Sequence, residues 1–480
     1  RLPFPPPALV VVAPHEAARP RYDISTEWAL ASTPGSVVAM ALEHLDDTAR
    51  IARDLIRFDT TNYGEGRSKG EREAAEYVGA ILEGLGLKTE YIDSATGRTS
   101  VITHVEGRYE NEVDTRRGAR PGLVVHGHLD VVPADPANWS VDPFAGEIRD
   151  GMLWGRGAVD MKDMDAMILT ALDEILSSGG QPNRDLTIAF FADEENGGAF
   201  GSHHIVQHRP EVFAGATEAI SEVGGYSVEI GGKRAYLLQT GEKALVWIKL
   251  ISRGTAAHGS RVIHDNAVTK LAEAVVALGR REWPLHLTAT TELLLSELGR
   301  ILDVDVEKLG PDEVMLRTGT AAGFLTATVR TTSNPTLLSG GYKHNVIPDQ
   351  AEALIDLRMM PGEEDAILAE VQKLVGDEIE IEVMHRDLGL ENPFSGPLVD
   401  AMVSTLNRHD PEAEVLPYLM SGGTDNKALS LLGIAGYGFA PLRLTPDLDF
   451  PAMFHGVDER VPLEALSFGH RALTDLLTTY

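Results

Sequence analysis

The chain has 480 residues, 43% hydrophobic and 24% charged, which is a globular composition in a length beyond one ordinary core, so two domains are expected, with room for a third. Lys and Arg total 42 against 72 Asp and Glu, and the resulting formal charge of -30 repels phosphate backbones and anionic lipid surfaces alike, arguing against nucleic acid and membrane partners. Cysteine is absent, so disulfides, thiolate metal sites and a thiol nucleophile are excluded, and any metal must sit on histidine and carboxylate.

Residues 1–43, rich in Pro, Ala and Ser without a sustained period, are expected to form a disordered or loosely packed extension. Its apolar stretch of about six residues makes a poor signal peptide, and no run in the chain approaches the roughly 20 residues that span a bilayer, so the cytoplasm is the expected compartment. From residue 44 to 243 helical and strand patterns alternate. EHLDDTARIARDLIRF and EREAAEYVGAILEGLG read as helices, LKTEYI and GLVVHGHLDVV as strands, MKDMDAMILTALDEILSSGG as a helix and DLTIAFFAD as a buried strand. That alternation predicts an α/β domain around a mixed, mostly parallel sheet. From 244 to 388 the order becomes β-α-β-β-α-β: ALVWIKLISRG, NAVTKLAEAVVALG, FLTATVRTT, QAEALIDLRMM, EEDAILAEVQKLVG and IEIEVMH. This is the pattern of a ferredoxin-like layer, inserted into the first domain, which resumes over 389–480. Residues 284–320 are a longer, partly helical interruption without an assigned role.

His128 and Asp130, two apart at the end of an apolar strand, are expected to project to one side where a sheet opens, as a metal ligand and its orienting partner do; a solvated strand end is the plain alternative. Asp160 follows the glycine-flanked turn GRGAVD and precedes a helix, where its simplest role is an N-cap. The methionines of that helix are core. Glu194 and Glu195 follow a buried strand, and two adjacent carboxylates there repel unless a cation or proton intervenes. Strand alternation would send them in different directions, one to a metal and one to a water. Glu222 in ISEVGG and His455 in MFHGVDE also sit at element ends near glycine.

HLDVVP, GRGAVDMK, ADEENGG, SEVGG, HGS and FHGVDE occur in the order and rough spacing of the M20 metallopeptidases, and the chain resembles that family from about residue 50 to 475. The resemblance implies a di-zinc exopeptidase fold with an inserted lid or dimerisation domain, and two divalent metals per chain, zinc by default with cobalt or manganese as alternatives. It implies His128, Asp160 and Glu222 on one metal and Asp160, Glu195 and His455 on the other, with a cis bond at Asp160–Met161. Glu194 becomes the general base for a water between the metals, and Asp130 the residue that orients the first site. His258 in GTAAHGS resembles an oxyanion-stabilising histidine, sometimes donated across a dimer. Asn345 in HNVIPD and Arg358 in DLRMMPG match substrate-binding positions, and Gly422 and Gly423 of SGGTD resemble a loop that closes on a substrate carboxylate. His126 matches no family role and reads as a packed strand histidine.

The implied reaction is hydrolysis of an amide bond in a small peptide or N-acyl amino acid, with homodimerisation through the inserted domain. Dipeptidase, carboxypeptidase and aminoacylase remain open, Glu at 222 leaning towards the last two. A catalytically silent peptide-binding relative is the reading from another class, but it would be expected to have lost Glu194 or a ligand, and this chain keeps every expected position. No GxxxxGK[ST] occurs, nor a GxGxxG after a strand, so a nucleotide enzyme finds no support.

Overall fold

The computed structural model describes residues 46–64, 66–108 and 121–480; the extension expected over 1–43 lies outside them. A large sheet organises the chain. Its centre is parallel: the Leu186–Phe191, Gly122–His128, Ala216–Ser221 and Ala435–Gly438 strands lie side by side in that order. These strands are apolar because helices cover both faces, as the mixed α/β pattern requires. Lys162–Ser177 packs on the Gly122–His128 strand together with Asp47–Ile56 and the final helix Leu463–Thr479. On the opposite face Phe191 joins Ile205, Phe213 and Leu429 in a second apolar cluster. Arg98–Val105 and Thr89–Ala95 add antiparallel strands on one side, while on the other Lys233–Glu242 meets Ala435–Gly438 antiparallel and carries Glu414–Met420 parallel beside it.

A separate four-stranded antiparallel sheet runs in the order Thr332–Gly340, Gln350–Met359, Ala244–Arg253, Ile379–Arg386. Val246, Ile248 and Leu250 alternate inward on the third of these and meet Leu271 and Val371 from the helices Ala267–Gly279 and Glu364–Val375. Only Lys243 separates this sheet from the Lys233–Glu242 strand, and the chain returns beside it, where Leu390 and Glu391 pair with Glu242 and Gly241.

FLTATVRTT does not form the expected strand. Residues 322–329 are helical turns, in which the Thr326 and Thr328 hydroxyls donate back to the Ala322 and Leu325 carbonyls and replace the strand preference of threonine with local bonds. The strand begins at Thr332 instead, and its sequence conceals it because Pro335 breaks the register. Proline is tolerated there since the strand is at the sheet edge. The helix Ala289–Leu302 of the unassigned interruption packs on the Glu414–Met420 strand of the large sheet. Among the described residues no helix is long and apolar enough to cross a membrane.

Candidate metal centre and reaction cavity

The parallel strands end together, and the acidic and histidine side chains collect at those ends, where an open α/β sheet offers its crevice. His128 closes its strand with 1% of its surface exposed. Its Nδ1 donates to the backbone carbonyl of Asp130 at 3.0 Å, which turns Nε2 towards the cluster. Nε2 lies 3.2 Å from Asp160 Oδ1, 3.6 Å from Glu222 Oε2 and 3.9 Å from Glu194 Oε2. The second oxygen of Asp160 faces the other way, with His455 Nε2 3.3 Å from Oδ2. Glu195 Oε2 lies 3.0 Å from the same imidazole nitrogen. Asp160 therefore stands between two groups of donors.

Asp160 does not cap the helix behind it: Met161 occupies the N-cap, without a side-chain cap bond, and the Asp160–Met161 bond is cis. The Asp160 N–H and that of Val159 instead donate to Glu459 Oε1 at 3.2 and 2.7 Å. Arg156 ties the same Glu459, 2.7 Å away, to the Gly456 carbonyl beside His455 at 2.9 Å. One buried ion pair thus fixes the Asp160 turn against the His455 loop.

Strand alternation does not orient Glu194 and Glu195. The strand stops at Phe191, Asp193 takes a left-handed φ of 65°, and Glu194–Asn196 form a 3-10 turn. The Asp130 carboxylate holds this turn by accepting the N–H groups of Glu194 and Glu195 at 3.0 and 3.2 Å. Val132 N–H takes the remaining oxygen of Glu195 at 3.2 Å, leaving Oε2 for the cluster. Close packing explains the glycine between the two strand histidines: a Cβ on Gly127 would stand 2.1 Å from Asp165 Oδ1. Behind Asp130, Asn62 donates to it at 2.8 Å, and Arg98 bonds Asn62, Asp193 and Glu71.

Burial is the largest cause that holds Glu194 and Glu222 well above the ordinary carboxylate range, and Glu195 above it. For Asp160 burial acts in the same sense, but hydrogen bonds from His128 and His455 overcome it and lower the group. Burial disfavours the His128 cation, yet the Glu222 carboxylate and the Asp160 bond raise it well above its usual value. His455, whose side chain is 59% exposed, is raised to about 11 by its bonds to Asp160 and Glu195. Four carboxylates facing two imidazoles need positive charge. The donor set is nitrogen and oxygen only, and His128, Asp160 and Glu195, like His128, Glu194 and Glu222, offer atoms within 4.8 Å of one another, a spacing that suits divalent cations.

The cluster opens on a cavity of about 300 Å³ that Arg358, Gly422 and Gly423 also line. Arg358 is gripped by Asp356, its Nε 2.7 Å from Oδ1 and its Nη2 3.0 Å from Oδ2. The SGGTD loop is anchored through Thr424, whose N–H and hydroxyl donate to buried Glu242 at 2.9 and 2.7 Å. His258 and Asn345 lie together elsewhere, the Gly259 N–H donating to the Asn345 carbonyl at 2.8 Å, and neither is among the residues lining the cavity. His258 is exposed and bonds Ser260 at 2.8 Å. His126 is fully buried, 2.9 Å from Asn426 and against the Phe191 ring, and burial lowers it to about 4.

Residues 124–479 match the model of peptidase family M20/M25/M40. The chain is 28% identical over 374 residues to a probable carboxypeptidase S-like 2 of Dictyostelium discoideum, covering 71% of this chain and 68% of that one. It is 29% identical over 389 residues to an N-fatty-acyl-amino acid synthase/hydrolase of Bos taurus, covering 76% of each. A solved M20 family metallo-carboxypeptidase of Sulfolobus solfataricus shares the fold with a TM-score of 0.68 at 18% identity, over 90% of this chain and 99% of that one.

Proposed function

The chain belongs to peptidase family M20/M25/M40, and from that premise we propose that it hydrolyses the amide bond beside the carboxylate of a small peptide or N-acyl amino acid, using two divalent cations. The observation that carries this reading is Asp160, one oxygen 3.2 Å from His128 and the other 3.3 Å from His455. His128, Asp160 and Glu222 would hold one cation, and Asp160, Glu195 and His455 the other. When bound, the cations supply the charge that polarises the amide carbonyl and acidifies water. Zinc suits the donors, as do cobalt and manganese.

Glu194 is the general base. Its carboxylate takes the proton of the attacking water and returns it to the leaving amine, a part suited to a buried carboxyl raised in its pKa. Asp130 keeps Glu194 and Glu195 in place through their N–H groups. Arg358, pre-set by Asp356, pairs with the substrate carboxylate, and the backbone of Gly422 and Gly423 closes around it.

The layer over 244–388 is read as the ferredoxin-like lid, supported by its antiparallel order and its hinge of two adjacent chain crossings. Its edge strand exposes Leu337 and Leu338, 61% and 66%, a surface suited to pairing with a second copy. Such a copy would deliver His258 and Asn345, which stand away from the chain's own cavity. The relatives named as a probable carboxypeptidase S-like protein and an N-fatty-acyl-amino acid synthase/hydrolase support both substrate types. A screen of dipeptides, peptides and N-acyl amino acids with added Zn, Mn or Co tests the reading. Metal-dependent release of the amino acid is expected, and no turnover in any combination would contradict it.

A further inference from the structure

Part of the lining of the reaction cavity is aromatic: Tyr226, Phe324, Tyr418 and Phe454. Phe454, the neighbour of His455, meets Phe450 edge-on at 5.3 Å, and Phe450 meets Tyr226 at 5.2 Å. Tyr226 shares a hydrogen bond with Tyr418, and Tyr418 meets Phe324 edge-on at 5.6 Å. The series thus runs from the metal ligand to Phe324, which stands on one of the helical turns of residues 322–329. Phe324 and Pro451 also line a second cavity, of about 380 Å³. Those two residues form a common wall.

The second cavity is not built for an anion. Its Lys233 and Arg234 are already paired, 3.3 Å from Glu414 and 2.7 Å from Asp410, and the carboxylates Glu229 and Glu412 also line it. Leu444, Leu448 and Pro446 complete an apolar part of its lining. At about 300 Å³ the reaction cavity is at the small end of ligand pockets, which run to roughly 1,000 Å³. With its carboxylate at Arg358 and its amide at the cluster, an N-acyl amino acid directs its acyl group along the aromatic wall. A long chain that follows that wall meets Phe324 at its far end.

We propose that Phe324 sets the acyl length this enzyme accepts, by closing the reaction cavity against the second one so that short acyl groups fit and long ones do not. This rests on the reading of the chain as an N-acyl amino acid or peptide hydrolase. The test is kcat/KM of the full metal-loaded chain for acetyl, butyryl, octanoyl and lauroyl derivatives of one amino acid, in wild type, Phe324→Ala and Phe324→Trp. Wild type should decline beyond butyryl. Phe324→Ala should raise the lauroyl-to-butyryl ratio about tenfold or more, the range that fitting or refusing methylenes commands, and Phe324→Trp should lower the octanoyl-to-butyryl ratio. The Trp variant decides the matter if the Ala variant does not fold. A wild type that takes lauroyl as well as butyryl, or ratios unmoved by the substitutions, would overturn the proposal. Wild type inactive on every acyl length would instead bring down the functional reading, and the proposal with it.

Discussion

His128 ends a central strand with 1% of its surface exposed, whereas His455 stands on a loop with its side chain 59% exposed. The two share Asp160 but are held differently. The His128 side is set by sheet pairing, Phe191 opposite His128 in parallel register, and by the carbonyl of Asp130. The His455 side is assembled from a left-handed residue, φ 57°, and depends on Arg156 and Glu459 to hold its loop against the Asp160 turn. A site half built into the sheet and half clipped on afterwards should bind the two proposed cations unequally, the sheet side more tightly and the loop side with faster exchange.

Glu194→Ala removes the proposed base, which would serve both halves, so kcat should fall about 10³-fold, the middle of the range for general base catalysis, with two metals still bound by elemental analysis. Activity near wild type would remove Glu194 from that role. Asp130→Ala frees the Glu194–Glu195 turn, and a loss of roughly 10- to 100-fold in kcat/KM is expected, as for partners that orient ligands. Glu459→Gln keeps an oxygen to accept the Val159 and Asp160 N–H groups, so it should act mainly on the loop side. It leaves Arg156 buried without its carboxylate, so affinity for the second cation equivalent should fall about tenfold while the first is unmoved, read by metal titration. Smallest of all, a chelator added to wild type should strip one equivalent faster than the other. A single phase would erase the predicted difference between the halves.

The residues that carry charge to the cluster were legible in the sequence because each closes or follows an apolar element beside glycine. What holds them was not. Arg156 and Glu459 both fall inside conspicuous motifs, GRGAVD and FHGVDE, but they are 303 positions apart and nothing local pairs them. The sequence suggests Asp130 as a partner of His128, and its main-chain carbonyl does meet that ring. Its carboxylate, 3.7 Å from the same nitrogen, is engaged instead with two backbone N–H groups 64 and 65 residues away. Asn62, Arg98 and Glu71 lie before the motifs altogether, and only burial reveals them. The misplaced strand has a similar origin. FLTATVRTT carries strand-forming residues but bonds its hydroxyls locally, while the true edge strand is disguised by Pro335.

The central claim is that one aspartate joins two cation positions. It is tested most directly by titrating zinc into metal-free protein, wild type beside His455→Ala, and counting bound equivalents. The structure predicts two per chain in wild type and one in the variant, the remaining one being the tighter. A single equivalent in wild type, or two of unchanged affinity in His455→Ala, would contradict it.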